Sequence, residues 1–222
     1  MRARAASLAA LLGAAVLSGT ARADDTDGAY GRLDGDMLFI GSVGPALEAG
    51  GVVLETHVDL LYLQSVGPYV RYTEGFGQEE LRIQRSVGAG LELRPLFLAR
   101  YALDLEKGPA HLDLFADSFA LIAGVFWADP GEPGPRRPPP GEDGFDLEPG
   151  LELGLGLEVP LLPNGNGPFV GVQALARWPG SYLVGRSDAG FLDRGALLIF
   201  TLAWHQAFDA GLVDLRDSRA GR

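Results

Sequence analysis

Three side chains at alternate positions, Glu55, His57 and Asp59, carry the first chemical suggestion in this sequence. Residues i, i+2 and i+4 of an extended strand share one face, so an imidazole stands between two carboxylates. Such a trio could ligate a divalent cation, because imidazole nitrogen and carboxylate oxygen are both metal ligands. A metal would also want a ligand from a second strand, and the spacing within one strand does not supply it. The plainer reading is a polar row facing the inside of a closed sheet, and no metal is assigned. A Ser-His-Asp hydrolase arrangement is the second chemistry to weigh. Its candidates are His57 or His205 with Ser42, Ser86 or Ser118, but with 3 histidines in the chain none has a recognisable nucleophile context. No catalytic residue is assigned, and the protein is expected not to be an enzyme. Glycine-rich Gly150 to Gly156 lacks the Gly-Lys-Ser/Thr ending and following helix of a phosphate loop, so no cofactor is expected.

The other charged candidates sit in the same kind of context. Arg82, Arg94, Glu148, Glu152, Glu158 and Arg177 each occupy the polar side of a segment whose alternate residues are apolar. In Phe145 to Leu161 the odd positions are almost all leucine, valine or phenylalanine, and the even ones are acidic residues, glycine or proline. That period of two belongs to a strand; a helix would spread the leucines around its circumference. Val52–Leu63, Leu81–Leu93, Pro168–Trp178 and Gly195–Phe208 repeat the pattern, and Met37–Leu47 and Tyr69–Glu74 are shorter versions. Gly67-Pro68, Gly75–Gln78 and Pro163–Gly167 read as turns, with Pro45 and Gly50-Gly51 ending the first strand. Leu96 to His111 alternates weakly and would also suit a short helix ending at Gly108-Pro109. Leu112 to Trp127 is apolar, and Asp113 and Asp117 read as a solvated or interior face.

Residues 1–23 are set apart from the fold. Arg2 and Arg4 precede an apolar run from Ala5 to Leu17, and Ala21-Arg22-Ala23 offers small residues where a signal peptidase cuts. A secretory signal peptide is expected, followed by a flexible leader over 24–36, a barrel over 37–208 and a charged tail over 209–222. Asp129 to Gly144 is too rich in proline for strand or helix and is expected to be a solvated loop. Pro179 to Arg194 is a second long loop, with a brief extended piece at 182–186. The net charge of -11 argues against a nucleic-acid partner, and Arg136-Arg137 is too short a basic patch to reverse that. With 0 cysteines there is no disulfide framework, thiolate metal site or lipidated cysteine.

Alternation alone leaves the direction of the sheet open, since a soluble barrel points its apolar face inward and a membrane barrel points it at lipid. Three features favour lipid. The polar face is glycine mixed with Glu and Arg, which suits a narrow interior better than a water-facing surface. The apolar faces cover the roughly 9 to 11 residues a tilted strand needs to cross. Aromatics gather near strand ends, at Tyr62, Tyr69, Tyr72 and Phe76, at Phe126-Trp127, at Trp178 and Tyr182, and at Trp204 and Phe208. Glu148, Glu152 and Glu158 could then pair inside with Arg82, Arg94 or Arg177, since buried carboxylates need partners. Eight strands put both long loops on the outer side, as barrels with short periplasmic turns require, and leave a long periplasmic connection near 95–112.

These features resemble the small eight-stranded bacterial outer-membrane β-barrel proteins. The resemblance rests on the signal peptide, the alternation over 52–63, 81–93, 145–161 and 195–208, and an aromatic-ended last strand. It implies an all-β, antiparallel up-and-down transmembrane barrel in the outer membrane, with lipid and the barrel-assembly machinery as partners and a small ligand possible. Such proteins act as anchors, surface-interaction factors or narrow conduits, and occasionally as lipid-modifying enzymes. Members of this family usually stop on the terminal aromatic, whereas here Phe208 is followed by fourteen residues. The alternatives are a secreted soluble barrel around an apolar ligand, lipocalin-like, and a barrel enzyme acting on envelope lipid, for which one histidine would be indispensable.

Overall fold

In the computed structural model of the chain, residues 30–32, 35–78, 81, 83–103, 105, 108–129, 149–183 and 195–212 are described. The signal segment, most of the Pro-rich loop with Phe145–Glu148, the end of the second long loop, the tail beyond 212, and the candidates Arg82 and Glu148 lie outside them.

Eight antiparallel strands close on themselves in sequence order. They are β1 (Met37–Glu48), β2 (Gly51–Tyr62), β3 (Val66–Glu74), β4 (Arg85–Leu93), β5 (Ala120–Asp129), β6 (Gly150–Pro160), β7 (Gly167–Trp178) and β8 (Gly195–Phe208). β1 pairs with β2 on one side and β8 on the other, so no sheet edge is left open. The connections after β5 and β7 leave the barrel at one end, while the β4–β5 connection, the start of β1 and the end of β8 are at the other.

The apolar face points outward. Leu153, Leu155, Val70, Val170, Leu91 and Leu202 are all exposed, while Glu55, Glu152, Arg71 and Arg177 are buried inside. This orientation is the reverse of a carrier that surrounds an apolar ligand. Among the described strands the outward-facing charges are Glu74, Arg85 and Asp129, which are direct cross-strand neighbours at the long-loop rim. Outward aromatics sit toward both rims, with Tyr72, Trp127 and Trp178 at the loop end and Phe39, Tyr62, Trp204 and Phe208 at the terminal end. Tyr69 and Phe126, expected in such a girdle, instead point inward and are each 2% exposed.

Several expected turns lie elsewhere. Gly67-Pro68 is inside β3, and Pro45 is inside β1, which runs on to Glu48. Each proline faces outward after an inward glycine. A side chain at Gly44 would meet the Phe200 carbonyl at 1.7 Å, and one at Gly67 the Leu60 carbonyl at 1.9 Å. The proline removes a ladder donor and the glycine lets the neighbouring backbone close in, so the pair tightens a strand rather than ending it. The turn between β2 and β3 is Leu63-Gln64, with φ of 45° and 53° and a Ser65 N–H to Tyr62 carbonyl bond of 3.0 Å. Two central residues with positive φ fit a type I′ hairpin, which sequence rules reserve for Asn and Gly. At 163–167 the positive φ falls on Gly167 alone.

β4 starts at Arg85, later than the alternation suggested. Leu81 is buried with Ala46, Val53, Tyr69 and Leu197 at the loop end of the interior. The connection from β4 to β5 holds two short helices, α1 (Pro95–Ala102) and α2 (Ala110–Asp117), so Leu112–Asp117 is helical and β5 begins only at Ala120. Pro95 opens α1, where its fixed φ and missing donor cost nothing, and Pro109 precedes α2. Gly180–Leu183 forms α3, so the extended piece expected at 182–186 does not begin there, and 184–186 lie outside the described residues.

The leader is also less free than expected. Gly165 donates to the Tyr30 carbonyl at 2.7 Å and Gln64 Nε2 to the Arg32 carbonyl at 2.5 Å. Arg32 itself is buried, with its guanidinium over the Phe97 ring of α1 and paired with Asp117 of α2. Asp36 accepts the Ala210 N–H at 2.6 Å, which ties the leader to the start of the tail.

Candidate functional site

The inward side chains form layers along the barrel. Toward the loop end is the apolar group that includes Leu81, Ala46 and Val53; at the terminal end is a second apolar group of Leu38, Ile40, Leu61, Phe169, Ala203 and Ala207. The interior is therefore more apolar than the glycine and Glu–Arg filling expected from sequence. Polar residues occupy the space between.

The loop-side polar layer is built on Glu152 of β6 and Arg177 of β7, which the register sets opposite each other. Arg177 Nε donates to Glu152 Oε2 at 2.9 Å, and Tyr69 donates its hydroxyl to Oε1 at 2.6 Å. Arg177 Nη1 reaches Ser86 at 3.0 Å, Ser86 shares a bond with Thr73 at 2.7 Å, and the guanidinium lies over the Phe126 ring. Gly88 and Gly124 leave the room this layer needs, since a side chain at either would run into Glu152 or the Tyr69 hydroxyl. Next comes Arg71 of β3, which donates to Gln173 at 2.8 Å and lies 3.5 Å from Glu55.

The terminal-side layer gathers the remaining candidates. His57 Nδ1 is 2.7 Å from Ser42 Oγ and 3.2 Å from Glu55 Oε1, and its Nε2 is 2.7 Å from Asp59 Oδ2. Glu92, just inside the end of β4, accepts from Arg94 Nε at 2.7 Å, and Arg94 Nη2 reaches Glu158 at 2.9 Å. His205 Nε2 lies 3.0 Å from Glu158, its ring stacked on Phe169. Glu92 and Arg71 were not among the sequence candidates. Both sit at the alternate positions that mark interior polar residues, Glu92 beside Arg94 and Arg71 beside Tyr69, and that was the available signal.

Below this layer α1 and α2 close the mouth. Arg100 pairs with both Asp113 and Asp117, and Asp117 also holds Arg32, so these two acids are ion-paired in place rather than solvated. Burial works against the Arg100 cation, but the two carboxylates outweigh it and raise its pKa. Ser118 Oγ donates to the Glu158 carbonyl and accepts the Glu158 N–H, each at 2.8 Å, stitching the connection onto β6. A cavity of about 20 Å³ remains beside Arg32, Arg94, Phe97, Asp117 and His205. That is room for a water molecule, and too little for an organic ligand.

Ser42, His57 and Asp59 thus have the hydroxyl–imidazole–carboxylate order of a hydrolase triad. They lie between the two apolar groups, with Ser42 8% exposed, so the hydroxyl faces packed side chains instead of a substrate cleft.

No protein-family model matches the chain, and no curated protein sequence is recognisably similar to it. Among solved structures it is similar to the N-terminal β-barrel domain of Pseudomonas aeruginosa OprF, at 8% identity and a TM-score of 0.46, over 78% of this chain and 98% of that one. It is also similar to Ail, the attachment invasion locus protein of Yersinia pestis, in complex with the heparin analogue sucrose octasulfate, at 14% identity and a TM-score of 0.32, over 77% and 97%.

Proposed function

We propose that this chain is a non-catalytic outer-membrane β-barrel that anchors its two long loops at the cell surface. In this reading residues 1–23 direct export, the assembly machinery inserts the barrel, and lipid covers the apolar exterior. One observation carries it: the closed sheet turns leucine, valine and aromatic side chains outward and keeps its carboxylates and guanidinium groups inside. Water on the outside would leave that apolar band unexplained, whereas lipid matches both its chemistry and the strand lengths of 9 to 14 residues. Apolar groups at both ends and a layered polar filling favour an anchor over a conduit.

The test is expression with the chain's own N-terminus, followed by envelope fractionation and gel mobility with and without boiling. Recovery with the outer membrane and a heat-dependent shift in mobility is the expected result. Recovery as a soluble periplasmic protein overturns the reading. Liposomes carrying the barrel should show no sugar-permeation rate above empty liposomes, and a measurable rate would replace the anchor with a conduit.

A further inference from the structure

We propose that His57, Asp59 and Glu92 form a binding site for one divalent transition-metal ion, of the zinc class, inside the terminal half of the barrel. The site goes beyond the anchoring role. It is the second-strand arrangement that Glu55, His57 and Asp59 lack by themselves. His57 and Asp59 come from β2 and Glu92 from β4, and one ligand atom from each lies within 4.8 Å of the others. Between them, β3 presents Gly67 opposite Glu92 and Tyr69 opposite Asp59, and the Tyr69 hydroxyl is turned to Glu152.

A second observation points to a ligand. Asp59 is 1% exposed, its Oδ2 meets His57 Nε2 at 2.7 Å, and among the described residues its Oδ1 has no hydrogen-bond partner. Buried carboxylates demand compensation. In the loop-side layers Glu152 has Arg177, and Glu55 has Arg71 within 3.5 Å. In the terminal layer Asp59, Glu92 and Glu158 stand with one guanidinium, that of Arg94, an excess of two negative charges before the imidazoles are counted. A dication removes that excess in one step.

The imidazole supports the same assignment. Its two nitrogens face carboxylates, Glu55 at 3.2 Å and Asp59 at 2.7 Å. A neutral ring has one N–H, so one nitrogen must aim its lone pair at an anion. With a metal on Nε2 the conflict ends. Asp59 becomes a co-ligand, and Nδ1–H donates to Ser42 or Glu55, the outer partner a metal-bound histidine ordinarily has. One nitrogen and two carboxylate oxygens suit zinc and its first-row neighbours better than calcium or magnesium, which prefer all-oxygen sites. Because the interior is closed, the ion enters as the barrel folds.

The competing arrangement is a proton on His57 with no metal, and one experiment separates the two. The full chain is refolded from denaturant into detergent micelles with zinc, free zinc is removed with a chelating resin, and metal content is measured by mass spectrometry. Folding is checked by the heat-dependent gel shift. The wild type should retain about one zinc per chain. Glu92→Gln and His57→Asn should each lose at least tenfold in retention or affinity, and Ser42→Ala roughly tenfold. Asp113→Asn, in the helical network, should retain zinc as the wild type does. If His57→Asn fails to fold, the wild type and Glu92→Gln decide between them. If the chain does not refold in vitro, protein extracted from membranes of zinc-supplied cells takes its place in the same assay. Retention below about a tenth of an equivalent in the wild type overturns the proposal, as does equal retention by Glu92→Gln. Nuclear magnetic resonance showing both His57 nitrogens protonated after zinc exposure also overturns it.

Discussion

Toward the long loops, Glu152 takes one hydrogen bond from Arg177 and another from Tyr69, so its charge has a fixed cation and a fixed donor. Toward the chain termini, Glu92 and Glu158 share the Arg94 guanidinium, and Asp59 has His57 at 2.7 Å and no guanidinium of its own. Both layers lie inside the same barrel, and both are built from alternate strand positions. A buried charge is tolerable once its partner is fixed in place, so the loop-side layer is complete as it stands. The terminal-side layer needs one more cation, from a proton or a metal. The first is a structural pairing and the second has the character of a site.

The largest expected effect tests the completed layer. Arg177→Met leaves Glu152 charged and without its cation in a closed interior, and should cost about 3–5 kcal/mol in urea unfolding of the folded barrel in detergent. Removing both partners, as Glu152→Leu with Arg177→Met, should recover most of that loss, because an apolar pair of similar volume replaces the ion pair. A loss under about 1 kcal/mol for the single change would mean that water reaches Glu152, and the contrast between the layers would fall.

Gly67→Ala should come next. Its new methyl would stand 1.9 Å from the Leu60 carbonyl oxygen, so the β2–β3 pairing must shift. A cost of about 1–3 kcal/mol is expected, with β3 displaced from the wall between Asp59 and Glu92. Pro68→Ala, one residue on, faces outward and should cost less than half as much. Equal costs would mean that the local geometry comes from the proline, and the open wall beside the terminal layer would lose its explanation.

These two sites also mark what could be read before the fold was seen. The eight-strand closure was legible because leucine, valine and aromatic residues recur at alternate positions over Gly150–Pro160 and Gly195–Phe208, a period that suits no helix. The interior rank of Glu55, His57, Asp59, Glu152, Glu158, Arg94 and Arg177 followed from the same period. Gly67-Pro68 was misread because its dipeptide is a common turn signal, and only the approach of the Leu60 backbone shows why it belongs in a strand. The helix at 95–102 was one of two readings of its segment, whereas the helix at 110–117 escaped because its 8 residues are too few for a period of 3.6 to separate from an apolar run. Asp113 and Asp117, four apart and facing Arg100, were the available helical sign. The joining of Glu92 to His57 and Asp59 depends on register across three strands, which no local pattern encodes.

Glu92→Gln measured without metal sharpens the comparison by its small size. It gives up a charge-assisted bond to Arg94, worth about 1.5–3 kcal/mol. It also relieves repulsion from Asp59 and Glu158, which at an effective dielectric near 20 is of about the same size. The net change should stay within about 1 kcal/mol of wild type, far from that of Arg177→Met, although both substitutions remove one buried charge. A loss of about 3 kcal/mol would show that the terminal layer was already balanced.

The smallest effect belongs to the outer rim. Arg85 lies 3.1 Å from Glu74, close enough for an ion pair, but its side chain is 54% exposed. Water and salt screen such a pair and the long side chain loses freedom in making it, so Arg85→Ala should cost about 0–1 kcal/mol, shrinking further in high salt. Tyr72 still donates to Glu74 at 2.6 Å, and the rim keeps its polar belt without the arginine. The same type of side chain, in the same kind of pair, therefore differs severalfold between rim and interior through burial alone. If Arg85→Ala in lipid vesicles costs as much as Arg177→Met, the rim lies within the apolar part of the bilayer, and the lipid boundary must move toward the loops past Glu74 and Asp129.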